Sequence, residues 1–131
     1  MNLESLCHKC GADLGAASTE RHPLCATCAA AGASARLSRR CYRNRLRAYR
    51  VGAPGWLRPK DVRRLWSRQS GRCAYCRRSL GTLSARPPAY HIEHRVPLDR
   101  GGENTAVNAC LSCPPCNAAK GTLTEEEFRC Q

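Results

Sequence analysis

Three observations predict a small zinc-stabilised α+β fold, with an N-terminal zinc knuckle and basic helices ahead of a strand–strand–helix core. The chain has 131 residues but few large apolar side chains: 2 Trp, 4 Tyr, 1 Phe and 1 Met. It has 11 cysteines, most of them in C-x2-C pairs. Its apolar spacing is helical over the middle of the chain and alternating near residue 92. So small a core does not by itself offset the entropy of ordering a chain, so metal–thiolate bonds are expected to supply the difference.

The pairs are Cys7/Cys10, Cys25/Cys28, Cys73/Cys76 and Cys113/Cys116. Zinc takes four thiolates at tetrahedral corners, and each C-x2-C turn presents two. Cys7, Cys10, Cys25 and Cys28 form a compact first site, in which His8 or His22 could replace a thiolate. Cys73, Cys76, Cys113 and Cys116 clasp a longer insert. A disulfide framework is the rival reading. The start Met1-Asn2-Leu3-Glu4-Ser5 lacks the basic and apolar regions of a secretory signal, so a reducing, cytoplasmic setting is expected and zinc is preferred. Cys41, Cys110 and Cys130 are expected to be small buried apolar residues.

Residues 1–35 read as the first zinc module and its connector. Residues 36–58 form an Arg-rich helix and linker, and residues 59–131 a second domain. The formal net charge is +12. Two filled four-thiolate sites leave it near about +8. Positive charge concentrates at 36–72, where Asp61 is the single acid. The spacing predicts a helix over 36–50, with Tyr42, Leu46 and Tyr49 as its apolar stripe and Gly52 and Pro54 as its stop. Arg39, Arg40, Arg43 and Arg47 on it are candidate contacts to a polyanion, since a merely solvated face mixes signs. A membrane is not expected as partner: the stripe is narrow, and no run of 18 apolar residues exists.

A second helix is expected at about 59–70, with Val62, Leu65 and Trp66 inward. Tyr90 to His94 and Val107 to Leu111 read as short strands around a loop at Pro97–Asn104. Pro114-Pro115 opens a helix ended by Gly121. Thr124 and Glu127 make a capping box for a last helix.

Residues 91–121 carry the chemistry. Neutral His94 can accept a proton at pH 7. The carboxylate of Glu93 and the amide oxygen of Asn117 suit a hard cation such as Mg²⁺. His91 shares the strand face of Glu93, as an extra metal ligand, a partner of one, or an exposed side chain.

The ordered set Cys73-x2-Cys76, Glu93-His94, Pro97-Leu98-Asp99-Arg100-Gly101-Gly102, Asn108, Cys113-x2-Cys116-Asn117 and Lys120-Gly121 resembles the HNH endonucleases of phages and bacteria. That resemblance implies a ββα-metal core and metal-assisted hydrolysis of DNA. His94 would be the general base, held by a hydrogen bond from Asn108. Glu93 and Asn117 would bind catalytic Mg²⁺ or Mn²⁺. Cys73, Cys76, Cys113 and Cys116 would hold structural zinc. Arg95, Arg100 and Lys120 would contact phosphates. Glu93 stands where Asp is commoner, and Asn117 where His is, making an H-N-N variant. The rivals are a non-catalytic zinc-dependent DNA- or RNA-binding protein on a decayed nuclease core, and a basic zinc-ribbon RNA-binding protein. The second leaves residues 91–121 unexplained.

Overall fold

A computed structural model describes residues 6–7, 10–15 and 24–131. Two compact units divide the chain, Met1–Leu37 and Ser38–Gln131. In the first, a bridge joins Leu6 to Asp13. The Cys7 amide donates to Ala12 O and the Gly11 amide to Cys7 O, each at 2.8 Å. Gly11 takes φ of 74° to close this knuckle, a left-handed conformation suited to glycine. His8 and His22 lie outside the described residues.

Helix α1 spans Ala26–Arg50, beginning well before the expected residue 36. The small residues at 29–35, read above as a connector, are rich in Ala, the best helix former, and continue the helix. Its apolar stripe also differs from expectation. Leu37, Cys41 and Ala48 are the buried positions, whereas Tyr42 is 58% and Tyr49 83% exposed. Helical spacing alone fits either stripe, because 37, 41 and 48 recur as regularly as 42, 46 and 49.

Helix α2 (Pro59–Arg68) starts with Pro at its first position, and Asp61 accepts from the Arg58 amide at 2.9 Å. It buries Val62 and Leu65, while Trp66 meets the Tyr90 ring edge-on at 5.5 Å. Strands β1 (His91–His94) and β2 (Ala109–Ser112) pair antiparallel, with Ile92 opposite Leu111 and His94 opposite Ala109. β2 starts later than the expected residue 107. Thr105 to Asn108 forms a turn, closed by Asn108 N donating to Thr105 O at 3.1 Å, and Val107 is 90% exposed.

The free edge of β2 is satisfied from elsewhere. Gln69, at the end of α2, donates to Leu111 O and accepts from Leu111 N, and the Ala74 amide adds a second bond to Leu111 O. A two-stranded sheet is marginal by itself. Here its second strand is tied by side-chain and zinc-loop hydrogen bonds.

The loop between the strands contains a 3-10 turn at Leu98–Arg100, and Gly102 packs directly on the Val96 carbonyl. A Cβ at residue 102 would lie 2.7 Å from Val96 C and 2.8 Å from Asn108 Nδ2. Gly102→Ala is therefore expected to destabilise the chain by about 1–3 kcal/mol through overpacking. A thermal melt at fixed zinc content checks this.

Helix α3 (Pro114–Lys120) follows β2 directly, and α4 (Glu125–Arg129) has the expected capping box between Thr124 and Glu127. Cys41 and Cys110 are buried as expected, and Cys130 is exposed. It caps the short α4 at the chain's end instead of entering a core.

Candidate active site and zinc centres

Both four-cysteine sets converge. In each, four sulfur atoms lie within 4.8 Å of one another. Tetrahedral zinc with bonds of about 2.3 Å requires sulfur–sulfur edges of ~3.8 Å. Cys10 to Cys25 and Cys76 to Cys113 each measure 3.7 Å. Backbone amides also prepare the second set for negative charge. Cys73 Sγ accepts from the amides of Tyr75 and Cys113, each at 3.4 Å. Burial pushes the Cys73 thiol up, but the amides of Cys113, Cys76 and Tyr75 outweigh it and hold the group down to about 6. Burial and the crowding of Cys113, Cys76 and Cys73 push Cys116 up to about 12, so zinc must displace protons to bind. Cys113 also caps α3, its sulfur accepting from the Cys116 amide. Zinc ligation and the start of α3 are one local structure.

Between β1, the 3-10 turn and α3 lies a cleft of about 240 Å³. His91, Glu93, His94, Asp99, Asn117 and Arg47 line it. His94, 2% exposed, sits at its floor. His94 Nε2 is 2.9 Å from Asn104 Oδ1, and Arg47 Nη2 lies 3.4 Å from His94 Nδ1. Arginine only donates, so Nδ1 carries the lone pair and Nε2–H donates to Asn104. Burial lowers the His94 pKa most, the Asn104 bond opposes this, and the Arg47 charge lowers it further. The imidazole is therefore neutral at pH 7, with its basic nitrogen toward the cleft.

Asn108 does not hold the His94 ring. Its side chain accepts from Val96 N and donates to Val96 O and Glu103 O, at 2.8–2.9 Å. It pins the loop that carries Asn104. Fully buried Asn104 holds the ring instead, and among the described residues its Nδ2 has no partner, so the bond to His94 is the one polar contact of its side chain there. No sequence signal separated the two asparagines, which are four residues apart in a single loop.

Three expected phosphate contacts are otherwise engaged. Lys120 is 1% exposed and donates to Glu93 Oε1 at 2.9 Å and His94 O at 3.0 Å. It neutralises a buried carboxylate, and removing one partner of such a pair costs about 3–5 kcal/mol. Arg95 holds Glu125 at 2.7 Å, and Arg100 Nη2 holds Glu127 Oε1 at 3.0 Å. Both clamp α4 onto the core, and the Arg100 guanidinium beside Glu127 holds that carboxyl down to about 2. Arg39 and Arg43 are exposed on α1. Arg40 donates to Tyr90 O at 2.9 Å and stacks over the Tyr90 ring.

Glu93 and Asn117 both line the cleft, leaving Glu93 Oε2 and one amide oxygen for a cation. Among the described residues, only the two four-cysteine sets bring three or more His, Cys, Asp or Glu donors together. His91 is exposed and lines the same cleft. Two oxygen donors fit Mg²⁺, which keeps most of its waters and completes its shell with substrate phosphate. Asp99, part of the quoted motif but given no role from the sequence, adds an exposed carboxylate at the cleft.

No helix among the described residues is long and apolar enough to cross a membrane. No curated protein and no solved structure matches the chain. The family model for HNH endonuclease matches residues 73–123, a segment holding the second four-cysteine set, both strands, α3 and the Glu93-His94 pair. With the fold it adopts, that segment belongs to the HNH endonuclease family, a nuclease-type domain.

Proposed function

We propose that the protein is a metal-dependent HNH endonuclease that hydrolyses DNA phosphodiester bonds. In this reading the zinc knuckle of residues 1–35 and the Arg-rich segment of residues 36–58 serve the nuclease domain of residues 59–131. The single observation that supports it most is the His94 ring, tautomerically set by Asn104 and Arg47, with its basic nitrogen on a cleft shared by Glu93 and Asn117. His94 Nδ1 takes a proton from water. The resulting hydroxide attacks phosphorus, the bond from phosphorus to the 3′-oxygen breaks, and that oxygen takes a proton from solvent water, giving 5′-phosphate and 3′-hydroxyl ends. Glu93 and Asn117 would hold Mg²⁺ or Mn²⁺, which stabilises charge on the phosphate and the leaving oxygen. Lys120 holds the Glu93 carboxylate in place through Oε1.

Incubating supercoiled plasmid with the zinc-loaded protein and Mg²⁺ or Mn²⁺ tests the proposal. Nicked or linear product that requires the added cation is expected. Plasmid that is bound but never cut would favour the non-catalytic binder.

Asn104 acts through His94 as a positioning residue. Asn104→Leu keeps the buried volume and removes the acceptor. It should lower kcat about ten-fold or more with little change in KM, because general-base catalysis depends on the ring's orientation. Equal loss of zinc and helix content would assign Asn104 a structural role only.

A further inference from the structure

A second groove opens beside the catalytic cleft, and nothing in the proposed chemistry uses it. Its volume is about 150 Å³, and Arg40, Arg43, Asn44, Arg47, His91 and Ile92 line it. Arg47, His91 and Ile92 also line the cleft over His94, so the two depressions are continuous. The four α1 residues fall at i, i+3, i+4 and i+7, one face of the helix. This face is not a solvated run of mixed charge: it is three guanidinium groups and an amide, with no carboxylate among the lining residues.

The groups are suited to an anion. Arg40 is held by Tyr90 O and the Tyr90 ring, which fixes its guanidinium while leaving other N–H donors unused. No ion pair involves Arg43 among the described residues. Arg47 reaches from the groove to within 3.4 Å of the catalytic nitrogen. Arginine forks match phosphate oxygens bidentately.

We propose that this face of α1 is a phosphate subsite that seats the backbone phosphate next to the scissile one, with Arg47 shared between the two positions. α1 lies outside the segment matched by the family, so the guanidinium groups of the subsite come from this chain's own N-terminal extension of the domain, while His91 and Ile92 come from the matched segment. The inference rests on the nuclease reading for the identity of the scissile phosphate. A bound backbone phosphate in the groove draws the Arg47 donors onto itself, leaving His94 Nδ1 for water.

The test uses the full zinc-loaded chain without added Mg²⁺ and two probes, thymidine 5′-monophosphate and thymidine 3′,5′-bisphosphate. Calorimetry gives the affinities, and nitrogen NMR follows the His94 ring. The bisphosphate should bind about ten-fold or more tighter, the worth of one added charge-assisted bond pair. It should shift the His94 ring resonances. Arg43→Ala, an exposed change to a strong helix former, should erase the bisphosphate advantage. Arg45→Ala, an exposed change on the opposite face of the same helix, should keep it. Equal affinity for the two probes, equal losses in both variants, or an unmoved His94 signal would each overturn the subsite. Plasmid cleavage, measured separately, distinguishes the two failures. A bisphosphate advantage without cleavage sinks the nuclease reading and keeps the subsite. Cleavage without the advantage does the reverse.

Discussion

His94→Ala should slow DNA cleavage by about 10²–10⁴-fold, the usual contribution of a positioned general base. Zinc content and DNA affinity should hardly change. The imidazole acts on water in the transition state, and its contacts with Asn104 and Arg47 are few. Glu93→Gln and Asn117→Ala should also lose activity, but excess Mn²⁺ should restore part of it, because those changes weaken cation binding and leave the proton acceptor. No cation concentration should rescue His94→Ala. The Glu93 variant also leaves Lys120 buried without its carboxylate, so its fold must be checked by circular dichroism before its rate is interpreted. Cleavage by His94→Ala at the unaltered rate, with contaminating nuclease excluded, would remove the proposed mechanism.

Cys113→Ser should take away the second zinc and, with it, the folded nuclease unit. Cys113 belongs to a four-cysteine set that fits zinc, caps α3 and donates its amide to Cys73. Binding of structural zinc is worth about 10–16 kcal/mol in small zinc modules. Whole domains are stable by only about 5–15 kcal/mol, so one site exceeds the reserve. Elemental analysis should fall from about two zinc ions per chain to about one, the count expected when one four-cysteine set is lost. The helical circular dichroism signal should fall with it. Chelation of the unaltered protein should reproduce that loss. A Cys113→Ser protein that keeps its helix signal and melts cooperatively at the original temperature would show that hydrophobic burial suffices.

Much of this architecture was legible in the sequence because its signals are local. A C-x2-C pair folds a knuckle within four residues, and the pairing of the knuckles follows from zinc's need for four ligands. Pro59 and Pro114 mark helix starts because proline needs no donor there. Thr124 and Glu127 set the start of α4 by bonding each other's backbone amides, at 2.9 Å and 3.2 Å. Alternation around Glu93-His94 placed that pair on a strand that ends at a loop.

Tertiary structure decided what spacing leaves degenerate. Helical period allows more than one stripe on α1, and packing chose Leu37, Cys41 and Ala48 over the tyrosines. Asn104 and Asn108 carry the same amide, and only the path of the loop brings Asn104 to the His94 ring while Asn108 staples the backbone. Charge type does not say what a charge faces. Lys120 turned inward to Glu93, where its charge compensates a carboxylate already taken out of water, and Arg95 and Arg100 turned to the acids that the fold of α4 brings beside them. Arg47, far from His94 in sequence, reaches His94 Nδ1, and Arg40, earlier on α1, reaches Tyr90 O, a placement that no local signal encodes.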